Sequence, residues 1–449
     1  MKTLIHSTRM VLPTGEIYAG DLLTENGTIS HIDRSIAAPE ADITIDGTNQ
    51  ILLPGVIDSQ VHFEHKEDLQ TASHACARGG VTSFLEMANT IPLPVTQAAL
   101  DDRLERAAQK CLVNYGFFIG ATADNLEVLQ AAAPTCGIKM FMGSTSGPLL
   151  VSDSAAIERI FANTTKLIAV HAENQARIEA RRAEFSDRFG EVGIHSVIQD
   201  DIAALEATQL ALDLATKYRH RLHLLHLSTA KEVELLRQHK PAWVTAEVTP
   251  QHLMLDTSAY EKLGSLAQMN PPLRSTADRQ ALWRGLHDGV LDCIATGHAP
   301  HTLKEKSHPY PNSPSGMPGV ETSLPMMLTA MQQGLCRLEQ IVTWMSANPA
   351  RAYGIVNKGQ IQVGYDADLV LVDLENTYPV RREDVLTQCG WSPFEGWELT
   401  GWPTVTLVAG RVVFQAGEVD TDARGRALQF ESRLTDASAI APEPTVKLS

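Results

Sequence analysis

From Leu53 to Gly354 the chain repeats one pattern, a short apolar run followed by a longer segment with helical spacing. The runs "GVTSFLEM", "NYGFFIGAT", "GIKMFMGS", "KLIAVHAE", "RLHLLHLS", "AWVTAEVT" and "LDCIATGH" alternate with segments such as "AALDDRLERAAQKCLV" and "DIAALEATQLALDLATKY". Alternation sustained over this length predicts a (β/α)8 barrel, although a doubly wound open sheet gives the same local signals. The chain ends read differently. "TLIHSTRMVLP", "IYAGDLLTENGTISHID" and "DITIDG" near the start, and "GQIQVGYDADLVLVDL" and "TVTLVAGRVVFQAGEV" near the end, are β-like runs parted by turns such as Glu25-Asn26-Gly27. They predict one small β-sandwich domain assembled from both ends of an α/β chain. The expected division is residues 1–53 and 356–436 for that domain, 54–355 for the barrel, and a frayed tail over 437–449.

The length of 449 residues exceeds one ordinary domain and suits a large barrel with a satellite. A net charge of −16 argues against nucleic acid or an anionic membrane face as partner. No apolar stretch reaches membrane-spanning length, and no basic segment precedes an apolar one, so a cytoplasmic location is expected. The six cysteines have no paired spacing and signal neither a disulfide framework nor a zinc knuckle; they read as small buried apolar residues.

Polar groups interrupt the apolar runs at their ends: His62 after "PGVIDSQVH", Lys139 in "GIKMF", His171 in "IAVHAE", His226 in "LLHLS" and His298 in "CIATGH". One such histidine is ordinarily a satisfied core residue. Several at successive strand ends would converge on the mouth of a barrel, where sites lie, and imidazole suits zinc. Lys139 is costly inside a barrel unless paired with a carboxylate or a substrate group. Desolvation depresses its pKa, and a neutral amine can add carbon dioxide to become a carbamate that bridges metals.

In this order the motifs "LPGVIDSQVHF", "GGVTSFLEMANT", "GIKMFMGS", "VHAEN", "HLSTA", "VTAEVTPQHL", "MNPPLRS", "HAPHT", "SGMPGVETSLP" and "GYDADLVLVDL" resemble the amidohydrolase superfamily. Specifically, they resemble the bacterial dihydroorotases that carry a carboxylated lysine. The resemblance implies zinc, with His62, Lys139, His171 and His226 as metal ligands and carbon dioxide as a carbamate on Lys139. One ion per chain, at most two, is expected, held by Lys139, His171 and His226, with His62 and the shared carbamate at the second position. It implies that Asn89, Asn270 and His301 bind the substrate, with the backbone near Gly316 and Pro318 lining the ring. The reaction implied is interconversion of N-carbamoyl-aspartate and dihydroorotate in de novo pyrimidine biosynthesis, by a homo-oligomer.

Three positions depart from that pattern. Gln60 stands where the first histidine of the strand-1 pair usually is. "VHFEHKED" is shorter than the family's loop and lacks the arginine that clamps the substrate carboxylate. Gly297 replaces the strand-8 aspartate that is both metal ligand and general base, leaving the catalytic residue unidentified. A missing base costs ~10²–10⁴ in rate. Three readings follow: an impaired dihydroorotase in which Gln60, Glu64 or His65 covers for the lost groups; an inactive structural partner of aspartate transcarbamoylase; or a hydrolase of another cyclic amide, one without the carboxylate.

Overall fold

A computed structural model describes residues 1–37, 41–63, 67–145 and 147–431. The expected tail, and with it Glu64 and His65, lies outside the described residues. Eight positions around a barrel are filled by parallel strands. Strand 1 is Val56–Val61, strand 2 Val81–Glu86, and strand 3 Asn114–Phe117 continued by Ile119–Gly120. Strand 4 is Ile138–Phe141, strand 5 Ile168–His171, strand 6 Leu222–Leu224, strand 7 Val244–Val248 and strand 8 Cys293–Ile294. Each pairs in parallel with the next. The ring closes where Val61 bridges His298 in parallel and the His62 amide donates to the His298 carbonyl at 2.8 Å. Strands 1, 2, 4 and 5 are buried on both faces, as parallel strands under a layer of helices must be. Side-chain caps start several of the helices; Thr229 and Glu232 form a capping box at Ala230–His239, and Ser275 and Asp278 form another at Thr276–His287.

Both chain ends build one nine-stranded sheet. Its junction is the antiparallel pair of Gln50–Pro54 with Leu369–Asp373. Period-2 alternation divides the second of these between two cores. Leu369 and Leu371 join Ile5, Leu22, Leu52, Val405 and Leu407 inside the small domain, whereas Val370 and Val372 join the barrel's main apolar cluster. Ile29, from an edge strand, shares the small-domain core with Val405 and Leu407, so the sheet folds over on itself as a sandwich. The predicted fold class is the observed one. All six cysteines are free and buried.

Candidate active site

The C-terminal ends of the barrel strands open into a cavity of about 150 Å³. Gln60, His62, Asn89, His171, His226, Asn270, Gly297, His301 and Gly316 all line it. The structure therefore gathers these residues from seven separate stretches of sequence. Lys139 is set deeper than the run-end pattern implies: it is the second residue of strand 4, fully buried, with its Nζ 4.1 Å from the centre of the Phe141 ring.

Two imidazoles meet at the floor. His171, the last residue of strand 5, turns Nδ1 toward Nε2 of His226 at 2.9 Å, and its Nε2 donates to Glu173 Oε2 at 2.7 Å. Glu173 also accepts from the Ser144 hydroxyl at 2.5 Å. Burial would raise this carboxyl, but the hydrogen bond and charge of His171, helped by Arg274, hold it below the usual range. The proton on His171 Nε2 is thereby fixed and the Nδ1 lone pair faces the cavity floor, the arrangement in which a second-layer carboxylate orients a metal-binding histidine. His226 has a left-handed backbone, φ +39°, an uncommon conformation that sets its ring against His171, and its Nδ1 has no hydrogen-bond partner. Burial pushes the His226 pKa well down, so the ring is neutral.

Lys139 Nζ has no hydrogen-bond partner. Burial pushes its pKa well below the ordinary lysine value, opposed only by the charge of Glu247. That carboxylate is already engaged by Ser59 at 2.7 Å and His223 at 3.0 Å. Among the described residues no group of three His, Cys, Asp or Glu side chains is placed to hold a metal ion. Two imidazole nitrogens converge and a third donor of those types is missing. Only a carboxylated Lys139 would complete the usual three-ligand set of a catalytic zinc. The residues fit one such ion on that condition.

The remaining candidates each have a hydrogen-bond partner. His62 follows strand 1, and its Nδ1 lies 2.5 Å from Asn89 Oδ1; burial pushes its pKa down to about 3. Asn270 Oδ1 accepts from His195 Nε2 at 3.0 Å, and His301 Nε2 donates to the Ser315 carbonyl at 3.0 Å. Strand 8 stops at Ile294, so Gly297 lies in the loop beyond it, not at the strand end. A Cβ on Gly297 would meet Thr249 Cγ2 at 3.6 Å and Gln60 Oε1 at 3.8 Å, and so would face Gln60 rather than His62. Gln60 Oε1 is itself buried without a partner. Sequence reasoning missed Glu173 and His195. Glu173 had a signal in its spacing, two residues after His171 in "VHAE"; His195 had none.

Residues 51–413 match the family described as Amidohydrolase family, and the chain belongs to it. Its sequence relatives include a dihydroorotase of Methanosarcina mazei, 33% identical over 459 residues that cover 96% of this chain and 98% of the relative. Another is a dihydroorotase of Anoxybacillus flavithermus, 34% identical over 93% of this chain and 99% of the relative. Among solved structures it is similar to an L-hydantoinase (dihydropyrimidinase) from Arthrobacter aurescens, with a TM-score of 0.90 and 30% identity over 95% of this chain and 99% of that one. A dihydropyrimidinase from Brevibacillus agri gives a TM-score of 0.87 at 25% identity, over 95% and 98% of the two chains. The resemblance read from the motifs is thus met by both kinds of comparison.

Proposed function

We propose that this chain is a zinc-dependent cyclic amidohydrolase of dihydroorotase type whose hydrolytic step is weakened at Gly297. The observation that carries the reading is Lys139, a fully buried amine without a hydrogen-bond partner, below two converging imidazoles. A neutral amine there adds carbon dioxide: the nitrogen–carbon bond forms, one proton leaves, and an anion with two oxygen donors results. Together with His171 Nδ1 and His226 Nε2 it would hold one zinc, which when bound supplies Lewis acidity toward a ring carbonyl. The chain's own groups do the rest. Glu173 keeps the lone pair of His171 inward, and His62, Asn89, Asn270, His301 and the Gly316 backbone line the space beside it. At Gly297 no carboxylate is present to take a proton from water and pass it to the leaving amide nitrogen, a loss of ~10²–10⁴ in rate.

One observation favours a substrate other than dihydroorotate. Among the described residues the cavity lining includes no lysine or arginine, so the carboxylate of dihydroorotate meets no fixed cation there. A neutral ring such as dihydrouracil or hydantoin requires none, and the similarity to hydantoinases and dihydropyrimidinases supports the same choice. The test is zinc content and turnover of all three compounds by purified protein supplied with zinc and bicarbonate. About one zinc per chain, lost in Lys139→Ala, is expected, with slow hydrolysis of the neutral rings exceeding that of dihydroorotate. Zinc retained by Lys139→Ala would remove the carbamate, and turnover of dihydroorotate above the neutral rings would remove the second reading.

A further inference from the structure

The reading of the site leaves the buried amine of Lys306 unused. Lys306 ends the short helix Leu303–Lys306, which begins two residues after His301, and its side chain is fully buried. Three backbone carbonyls surround its Nζ: Gln268 at 2.9 Å, Pro314 at 2.9 Å and Gly316 at 3.1 Å. The Gln268 carbonyl also accepts from the Gly316 amide at 2.9 Å, and Gln268 Nε2 donates to the Ser313 carbonyl at 2.8 Å. Each stretch tied this way continues into the cavity wall, one through Met269 and Asn270, the other through Ser315, Gly316 and Met317. The loop has no slack on its far side. Gly316 has φ +144°, and a Cβ there would lie 2.6 Å from that of Ala299. Three acceptors on one nitrogen need three N–H bonds, which the ammonium has and the neutral amine does not.

We propose that Lys306 is the positioning residue of the substrate-ring subsite, its ammonium clamping residues 313–317 to Gln268 and so fixing the Gly316 backbone relative to Asn270. This rests on the reading of the cavity as a cyclic-amide site. The clamp is sensitive to pH. Burial alone pushes Lys306 down to about 7. Above that value the amine has two protons for three carbonyls, and the loop loses a bond. Among the described residues, the hydrogen bonds of this ammonium go to backbone carbonyls alone. Its neighbours are the three carbonyls, with the Ser265 and Ser313 hydroxyls on its own carbonyl; the titratable group joined to the network is His301, through Ser315.

The experiment is amide hydrogen exchange at Ser315, Gly316 and Met317 in the unmodified protein and in Lys306→Met and Lys306→Arg, at about pH 6 and about pH 8.5, corrected for intrinsic exchange. In the unmodified protein the corrected exchange should quicken about five- to tenfold at the higher pH, as for one lost hydrogen bond. Lys306→Met should exchange fast at both, and Lys306→Arg, charged throughout, should lose the pH dependence. KM for dihydrouracil should follow the same order while kcat changes less. Protection in the unmodified protein that is the same at both pH values overturns the proposal, even where Lys306→Met does not fold. Failure to turn over any ring compound counts against the functional reading instead, and the exchange result still decides the role of Lys306.

Discussion

In the proposed reaction Lys139 and Gly297 act in opposite directions, the first completing a metal site and the second leaving it without a base. Restoring a carboxylate at Gly297 is sterically open, since its Cβ would meet nothing closer than 3.6 Å, but the backbone there has φ +59°. Aspartate tolerates that conformation better than most residues, so Gly297→Asp should fold at a cost of about 1 kcal/mol, read as a lowered midpoint in urea. Its gain in kcat on dihydroorotate should be small, well short of the ~10² that a restored base alone would give, because the substrate carboxylate is still unclamped. Recovery of that full factor in the single variant would show that the clamp is dispensable. Lys139 was legible in "GIKMF" because a charge amid apolar residues needs an explanation. The pairing of Asn89 with His62, and of Asn270 with His195, was not. Which neighbour an amide chooses depends on loop geometry that residue identity does not encode.

At the scale of elements, the seam between strands 1 and 8 shows where sequence patterning stops being informative. Strand 8 has only two paired residues, and closure is completed by side chains. Asp58 Oδ2 accepts from the Thr296 hydroxyl at 2.6 Å, and Oδ1 from the Thr296 amide at 3.0 Å. An alternation of apolar runs predicts that such a strand exists; it does not reveal a buried carboxyl acting as the clasp. Burial, only partly offset by the Thr296 bonds, pushes Asp58 up from 3.8 to about 6. Between those values the folded protein keeps a proton that the unfolded chain has released. Stability therefore falls as pH rises through that window, by an amount on the order of 2 kcal/mol. In Asp58→Asn, whose Oδ1 can still accept from the Thr296 amide while its Nδ2 donates to the Thr296 hydroxyl in place of accepting from it, this fall should vanish. Urea midpoints of both proteins taken from about pH 4 to about pH 7 test it, and parallel profiles would show that Asp58 does not titrate there.

For the whole molecule the question is whether the barrel and the terminal sheet are one cooperative unit, and Asp368 is the residue that decides it. It stands beside the junction strand Leu369–Asp373 and binds both bodies. Oδ2 accepts from Asn114 of strand 3 at 2.8 Å, Oδ1 accepts from the Ala409 amide at 2.8 Å, and its backbone carbonyl accepts from Gly55 at 2.9 Å. Lys358 pairs with its carboxylate as well, with 9% of the lysine side chain and 5% of the aspartate exposed. The two adjacent aspartates outweigh burial and hold Lys358 above its ordinary value, so the ammonium keeps its charge. The terminal β-runs made a joint domain legible, but nothing in "GYDADLVLVDL" distinguishes Asp366, half of a partly exposed pair, from Asp368, the buried hub. Asp368→Ala would leave the Lys358 ammonium with Asp366 alone and the Asn114 amide nitrogen with only its longer bonds to the Thr82 carbonyl at 3.2 Å and the Ser83 hydroxyl at 3.5 Å. A loss of about 3–5 kcal/mol is expected for breaking a buried pair in this way. Because Val370 and Val372 close the barrel's apolar cluster while Leu369 and Leu371 close the other, the loss should fall on both bodies together. Hydrogen exchange in strand 3 and in Leu369–Asp373 should accelerate by the same factor, within one unfolding transition. Faster exchange confined to the terminal sheet, over an unchanged barrel, would mean that the two bodies fold separately and that Asp368 belongs to only one of them.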